Sequence, residues 1–325
     1  MNVKRIDCLS VPKSRDLKAP GDDVVAVLPD KFYGVFDGAT DTTGTFRGPG
    51  SPGRFAATSA AQAMLRLVLQ PQGPLAEPQV WLAGMNASIR DGLHNLGVPQ
   101  ARVSTTAAMA VPIGNTMHFL MVGDSGLRIN GHDVTLMTKD VDRLFTQVRL
   151  ATREVLQLQG LKGDTLETAT RELVFKGLDP SRQATILPSK VLEIVAQVSA
   201  ACRGQLMLDA MDCLPDMVSR GISGGQYQFA NQIGHSLAYA SVDGSVTRGK
   251  DQRYFSLPMA DVQSIELFTD GYMSCPHSGV SVMDWEANFA QDEALDPEKI
   301  GRYSGVKGST EAYFSDDRTV LSLSF

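Results

Sequence analysis

Apolar residues recur in short runs through the first 135 positions, and turn residues separate the runs. The pattern predicts strands at 24–28 and 32–36 around Pro29-Asp30, then a meander at 105–113, 116–122 and 127–136. Gly114-Asn115, Gly123-Asp124-Ser125-Gly126 and Asn130-Gly131 mark the turns, and Asn-Gly between apolar runs is a strong hairpin signal. Two stretches between these strands switch to helical spacing. From Arg54 to Leu69, residues Phe55, Ala56, Ala60, Ala63, Met64, Leu67 and Val68 fall three and four apart. The 78–96 stretch does the same and is stopped by Gly97 and Pro99.

From about 140 to 217 the strand signal fades, and helices are predicted at 141–158, 165–175 and 189–202. The glycine-rich run Gly221-Ile222-Ser223-Gly224-Gly225 reads as a flexible connection, after which strands return at 236–242, 253–257, 264–269 and 319–325. Strands on both sides of a helical block predict one α+β domain over 1–325 with a helical insertion at about 140–217.

Charge narrows the partners. The chain carries 30 basic and 36 acidic residues, a net −6, which is the wrong sign for a protein that grips phosphate backbones, so no nucleic acid is expected. No run approaches the ~20 apolar residues of a membrane helix, and the first residues lack a secretory apolar core, so a cytoplasmic protein without a membrane partner is expected. The four cysteines are far apart and form no zinc or disulfide pattern. The five histidines show no metal-ligand spacing, and the glycine run is not a nucleotide loop.

The chemistry lies in a repeated local grammar: an apolar strand that ends in Asp and then turns. It occurs at Val35-Phe36-Asp37-Gly38, Met121-Val122-Gly123-Asp124, Phe268-Thr269-Asp270-Gly271 and Phe314-Ser315-Asp316-Asp317. Aspartates brought together at one sheet rim repel unless a cation lies between them, and an all-oxygen donor set suits Mg²⁺ or Mn²⁺. Asp before Gly is also an ordinary turn signal, so any single instance reads equally as a turn. Taken together, the carboxylates point to metal-assisted phosphoester hydrolysis.

In their order, these segments resemble the metal-dependent protein phosphatases, the type 2C family. Gly21-Asp22-Asp23-Val24 resembles that family's acidic pair, Ser104-Thr105-Thr106-Ala107 its G-S-T-A strand start, and Val122-Gly123-Asp124-Ser125 its V-G-D-S turn. Phe268-Thr269-Asp270-Gly271 and Asp316-Asp317-Arg318-Thr319-Val320 resemble its two later motifs. The resemblance implies a β-sandwich of two antiparallel sheets flanked by helices, with two Mn²⁺ or Mg²⁺ ions, and a looser third, at one end. It implies that Asp37 bridges the two metals, that the Gly38 carbonyl binds the second, and that Asp270 and Asp316 complete the first. Asp22 or Asp23 acts through water, Asp124 serves the third ion, and Asp317 supports. The implied nucleophile is activated water, and the implied substrate a phosphorylated Ser or Thr of a protein.

The sequence departs from the family in two places. Asp37-Gly38 continues Ala39-Thr40-Asp41, without the histidine that protonates the leaving group. The phosphate-binding arginine is expected just before the acidic pair, where Arg15 is the nearest candidate at a longer spacing. These departures sustain an alternative: an inactive pseudophosphatase that acts as a protein-binding regulatory module. The helical insertion is expected to shape substrate access or to dock a protein partner.

Overall fold

Alternation along the strands decides the layers. In β3 (Phe32–Ala39), Tyr33 and Val35 face one core while Phe32 and Phe36 face another. The computed structural model describes residues 3–39, 44–71 and 76–325. Among these, one antiparallel sheet runs β1 (Arg5–Val11), β10 (Arg318–Ser324), β9 (Ser264–Phe268), β6 (Gly126–Ile129), β7 (Asp133–Thr135). The other runs β2 (Val24–Leu28), β3, β4 (Ser104–Ile113), β5 (Thr116–Val122), β8 (Gln252–Pro258). Tyr33, Val35, Ala108, Phe119 and Met121 of the second sheet pack against Leu127, Ile265, Leu267, Leu321 and Leu323 of the first. Each large apolar side chain so buried contributes about 1.5–3 kcal/mol relative to exposure.

The outer faces are covered by helices. Phe32, Phe36, Met109 and Leu120 meet α1 (Pro52–Val68) and α2 (Pro78–Asn95), which bring Ala56, Ala60, Met64, Trp81 and Met85. On the other side Phe268 and Val320 meet Trp285 and Phe289 of α7 (Val282–Leu295). The architecture is the helix-flanked double sheet that the motif order implies. Between β7 and β8 stand α3 (Asp140–Leu158), α4 (Gly163–Lys176), α5 (Pro188–Cys202) and α6 (Leu208–Gly225), which bury a core of their own around Phe145, Val148, Val174, Ile194 and Met217.

Two local expectations need correction. The segment 236–242 forms no ladder, only isolated bridges of Tyr239 to Ala230 and Val242 to Thr105, because side chains take its backbone donors: Asn231 Oδ1 accepts from Ser241 N at 3.1 Å. The run Gly221 to Gly225 is not a flexible connection: 222–225 are helical, and Gly221 is a non-helical kink within α6. Gly221 there takes a left-handed φ of 65°, and its backbone lies against that of Gly177. The pattern also gave no sign of β1 or α7. Thr40 and Asp41, which stand where the family has its histidine motif, lie outside the described residues.

Candidate metal centre

At one end of the sandwich the inward-facing positions turn polar. Asp23 continues the inward series of Val25 and Val27, and Asp37 continues that of Tyr33 and Val35. The neighbour of Asp37 across β4 is Thr106, whose hydroxyl pairs with Ser125 Oγ at 2.7 Å. Thr269 Oγ1 donates to Asp23 Oδ2 at 2.8 Å and accepts from Thr319 N at 2.9 Å. Gly123 has a φ of +77°, and a Cβ there would lie 2.4 Å from Thr106 Cγ2, so this turn before Asp124 requires glycine.

This floor gathers the carboxylates. Asp37, Asp124 and Asp270 each place a carboxylate oxygen within 4.8 Å of the others. Asp316 lines the same cleft, which has one lobe of about 720 Å³ and another of about 200 Å³. The two lobes share Asp124, Asp270, Asp316, Lys139 and Lys307. Gly38 lines the smaller lobe. Its backbone meets that of Gly53 so closely that a Cβ on Gly38 would fall 2.3 Å from the Gly53 carbonyl carbon. Gly38→Ala must therefore push the start of α1 away from β3. The expected cost is about 1–3 kcal/mol in urea unfolding, with weakened Mn²⁺ binding by calorimetry.

The acidic pair is divided between two tasks. Asp22 accepts from the Ser51 hydroxyl at the cap of α1, where the helix dipole favours an anion, and its N–H donates to Asp317 Oδ2 at 3.0 Å. Asp23 is buried beneath the floor. Asp317 also accepts from Lys13 N at 2.6 Å, so it fastens the β1–β2 connection to the end of the sandwich. Arg15 is not brought to the carboxylates. Its guanidinium stacks 3.9 Å from the Phe314 ring centroid, donates to Thr310 O at 3.1 Å and pairs with Glu293 at 3.4 Å.

No family model matches the sequence, and no curated protein matches it. Solved structures do. The chain resembles bacterial serine/threonine phosphatases. The phosphatase PstP of Mycobacterium tuberculosis is 15% identical, with 99% of this chain and 98% of that one covered, at a TM-score of 0.45. A PstP catalytic domain in complex with two manganese ions is 14% identical over 100% and 99%, at 0.47. Stp1 from Staphylococcus aureus is 11% identical over 100% and 97%, at 0.46.

The site's own electrostatics test whether a cation belongs there. Burial, then the charges of neighbouring aspartates, raise Asp37 and Asp270 well above the ordinary carboxylate range. Burial likewise pushes Asp23 up to about 7, although Thr269 and Thr319 oppose it. Asp124 Oδ1 is buried without a hydrogen-bond partner among the described residues. Crowded, desolvated, partly unpartnered carboxylates are a donor set that a hard divalent cation satisfies. The residues fit the metal.

The motifs pointed to the aspartates and missed the cations between them. Lys139, just before α3, lies 2.7 Å from Asp124 and 3.8 Å from Asp142. Burial works against its ammonium, but Asp124 and Asp142 outweigh that and raise its pKa. Lys307 lies 2.7 Å from Asp316, and Lys13 lies 3.2 Å from Asp317, 3.7 Å from Asp22 and 3.8 Å from Asp316. Burial would raise Asp316, yet Lys307 and Lys13 together hold it low. No spacing rule links these lysines to the aspartates. They come from the connection after β1, the start of the helical block and the loop before β10.

Proposed function

We propose that the chain is a Mn²⁺- or Mg²⁺-dependent phosphatase acting on phosphoserine and phosphothreonine of cytoplasmic proteins. The observation that carries this reading is the meeting of Asp37, Asp124 and Asp270 within 4.8 Å at the end of the sandwich, on motifs far apart in sequence. Fold alone carries no chemistry; these carboxylates supply it. In this reading Asp37, Asp270, Asp316 and the Gly38 carbonyl hold two ions, Asp124 serves a looser third, and Asp22 and Asp23 act through water. When bound, the ions supply Lewis acidity toward a phosphoryl oxygen and toward the attacking water. Thr106, Ser125 and Thr269 close the floor beneath the aspartates, and Asp317 keeps Asp22 at the rim. The helical block, an insertion in a single phosphatase-like domain, walls the cleft through Phe175, Ile222 and Tyr227 and so governs access. Its outer side, with Leu187, Leu192 and Leu208 exposed, is where we place a protein partner.

One observation favours a second reading. Lys139 and Lys307 already neutralise Asp124 and Asp316 at 2.7 Å, as an inactive, protein-binding relative would allow. Hydrolysis of a phosphothreonine peptide and of an aryl phosphate, with Mn²⁺, Mg²⁺ or EDTA, separates the readings. Turnover with either metal, abolished by EDTA and faster on the peptide, is the expected result. A folded protein that binds no metal and turns over neither substrate is the regulatory module instead. Turnover confined to the small ester replaces the protein substrate with a small phosphate ester.

A further inference from the structure

Four cations line the smaller lobe: Lys13, Lys139, Lys307 and Arg102. The three lysines are each held on aspartates at 2.7–3.8 Å, so an incoming anion would have to compete for them. Arg102 differs. Among the described residues it makes no ion pair, and its guanidinium lies over the Tyr227 ring, 4.3 Å from the centroid.

Both partners of that stack stand beside buried residues. Arg102 stands between buried Ala101 and Val103, immediately before β4, which carries the Thr106 of the floor. Tyr227 lies in the short helical turn after α6, two residues before buried Phe229. The core strand thus supplies the guanidinium, and the helical block supplies the ring that fixes its plane. Stacking leaves the edge N–H groups free, and that edge is the face that takes two phosphate oxygens at once. The lobe is about 200 Å³, so one anion near the aspartates shares a small space with Arg102.

We propose that Arg102, oriented by Tyr227, binds the phosphoryl group of the substrate, the task that the motif order would give to Arg15. The inference rests on the phosphatase reading above. It makes the turn that closes the helical block part of phosphate recognition, since Tyr227 lies in that turn, and it accounts for a cleft whose other cations are committed to carboxylates. Arg102 is exposed, so its replacement leaves the core untouched.

The test is calorimetric binding of inorganic phosphate to the Mn²⁺-loaded chain, together with steady-state kinetics on an aryl phosphate and a phosphothreonine peptide. Arg102→Ala is expected to weaken phosphate binding at least ten-fold. It should raise KM for both substrates by a similar factor while kcat changes less than about three-fold. Tyr227→Ala is expected to weaken phosphate binding several-fold, and Tyr227→Phe, which keeps the ring, to restore it. Unchanged phosphate binding in Arg102→Ala overturns the proposal. So does a KM effect confined to peptides with acidic residues beside the phosphorylated one, which would make Arg102 a reader of flanking sequence. If the parent chain binds Mn²⁺ yet turns over neither substrate, the phosphatase reading itself fails, and that outcome is recognised before any variant is compared.

Discussion

Asp270→Asn is expected to abolish metal-dependent turnover by at least about a thousand-fold while raising the melting temperature of the metal-free protein. The two effects have one cause. Asp270 lies two residues beyond β9 and meets Asp37 and Asp124 at the floor of the cleft. Burial first, and then Asp37, Asp124 and Asp316, make its charge unfavourable. Asn keeps the shape and removes that charge, so the cluster loses an anionic ligand and also a source of repulsion. A thousand-fold is about 4 kcal/mol of transition-state stabilisation, a reasonable share for one charged ligand of a catalytic ion. The sign with pH follows from the raised pKa. Below about 3.9 the group is protonated whether folded or unfolded, and it costs nothing. As pH rises, the unfolded chain ionises freely and the folded site resists, so the metal-free protein loses stability up to the folded pKa. Scanning calorimetry from pH 4 to 8 should show a shallower decline in Asp270→Asn than in the parent chain. Added Mn²⁺ should stabilise the parent strongly and the variant little. A variant that melts lower than the parent without metal, or that still turns over, would show that these carboxylates do not form the strained cluster described.

Glu167→Ala is expected to cost about 3–5 kcal/mol, the usual penalty for stranding a buried charge. Arg149 in α3 has no exposed surface and pairs with Glu167 of α4 at 2.6 Å. Its two terminal nitrogens also donate to the Glu298, Lys299 and Gly305 carbonyls at 2.6, 2.8 and 3.2 Å, and Glu167 Oε1 accepts from Gly308 N at 2.7 Å. This pair therefore clasps the loop that delivers Lys307 to Asp316. Without Glu167, the guanidinium keeps three carbonyls and loses the one carboxylate that pairs with it among the described residues. Urea unfolding measures the cost, and Arg149→Met combined with Glu167→Leu should recover most of it because no charge is left buried. A single-variant cost under 1 kcal/mol would mean that water reaches the pair. The same variant should loosen Lys307, giving tighter Mn²⁺ binding in what remains folded, since a competing cation has been released.

The two halves of the site were unequally legible in the sequence. Aspartates at strand ends could be read because they obey the alternation of the strands that carry them: Asp37 and Asp23 lie on the inward face simply by parity with Val35 and Val25. The cations could not, because nothing periodic joins Lys13, Lys139 and Lys307 to them. Arg15 was the nearest arginine in sequence to the acidic pair, but Phe314 and Glu293 offered it a stack and a partner elsewhere. In the fold, β1 escaped because its short alternation has only Ile6, Leu9 and Val11 as strong apolar residues and becomes a strand by pairing with β10. The 236–242 segment has strand composition, yet Asn231 and Asp209 accept from its N–H groups where a neighbouring strand would. Local composition does not record which acceptor arrives from elsewhere.

The pairing of β1 with β10, Arg5 opposite Ser324 and Val11 opposite Arg318, also governs the order of assembly. Lys13 and Asp22, near the start of the chain, meet Asp316 and Asp317, near its end, across a separation of about three hundred residues. Contacts so distant in sequence form slowly, after local helices and hairpins, because a long loop must close first. On a ribosome, β3, β4 and β5 emerge beside one another, whereas β8, β9 and finally β10 join them only after the helical block, and the rim of the cleft waits for β10. Until then the cleft lacks Asp316, and Lys13 and Asp22 lack Asp317.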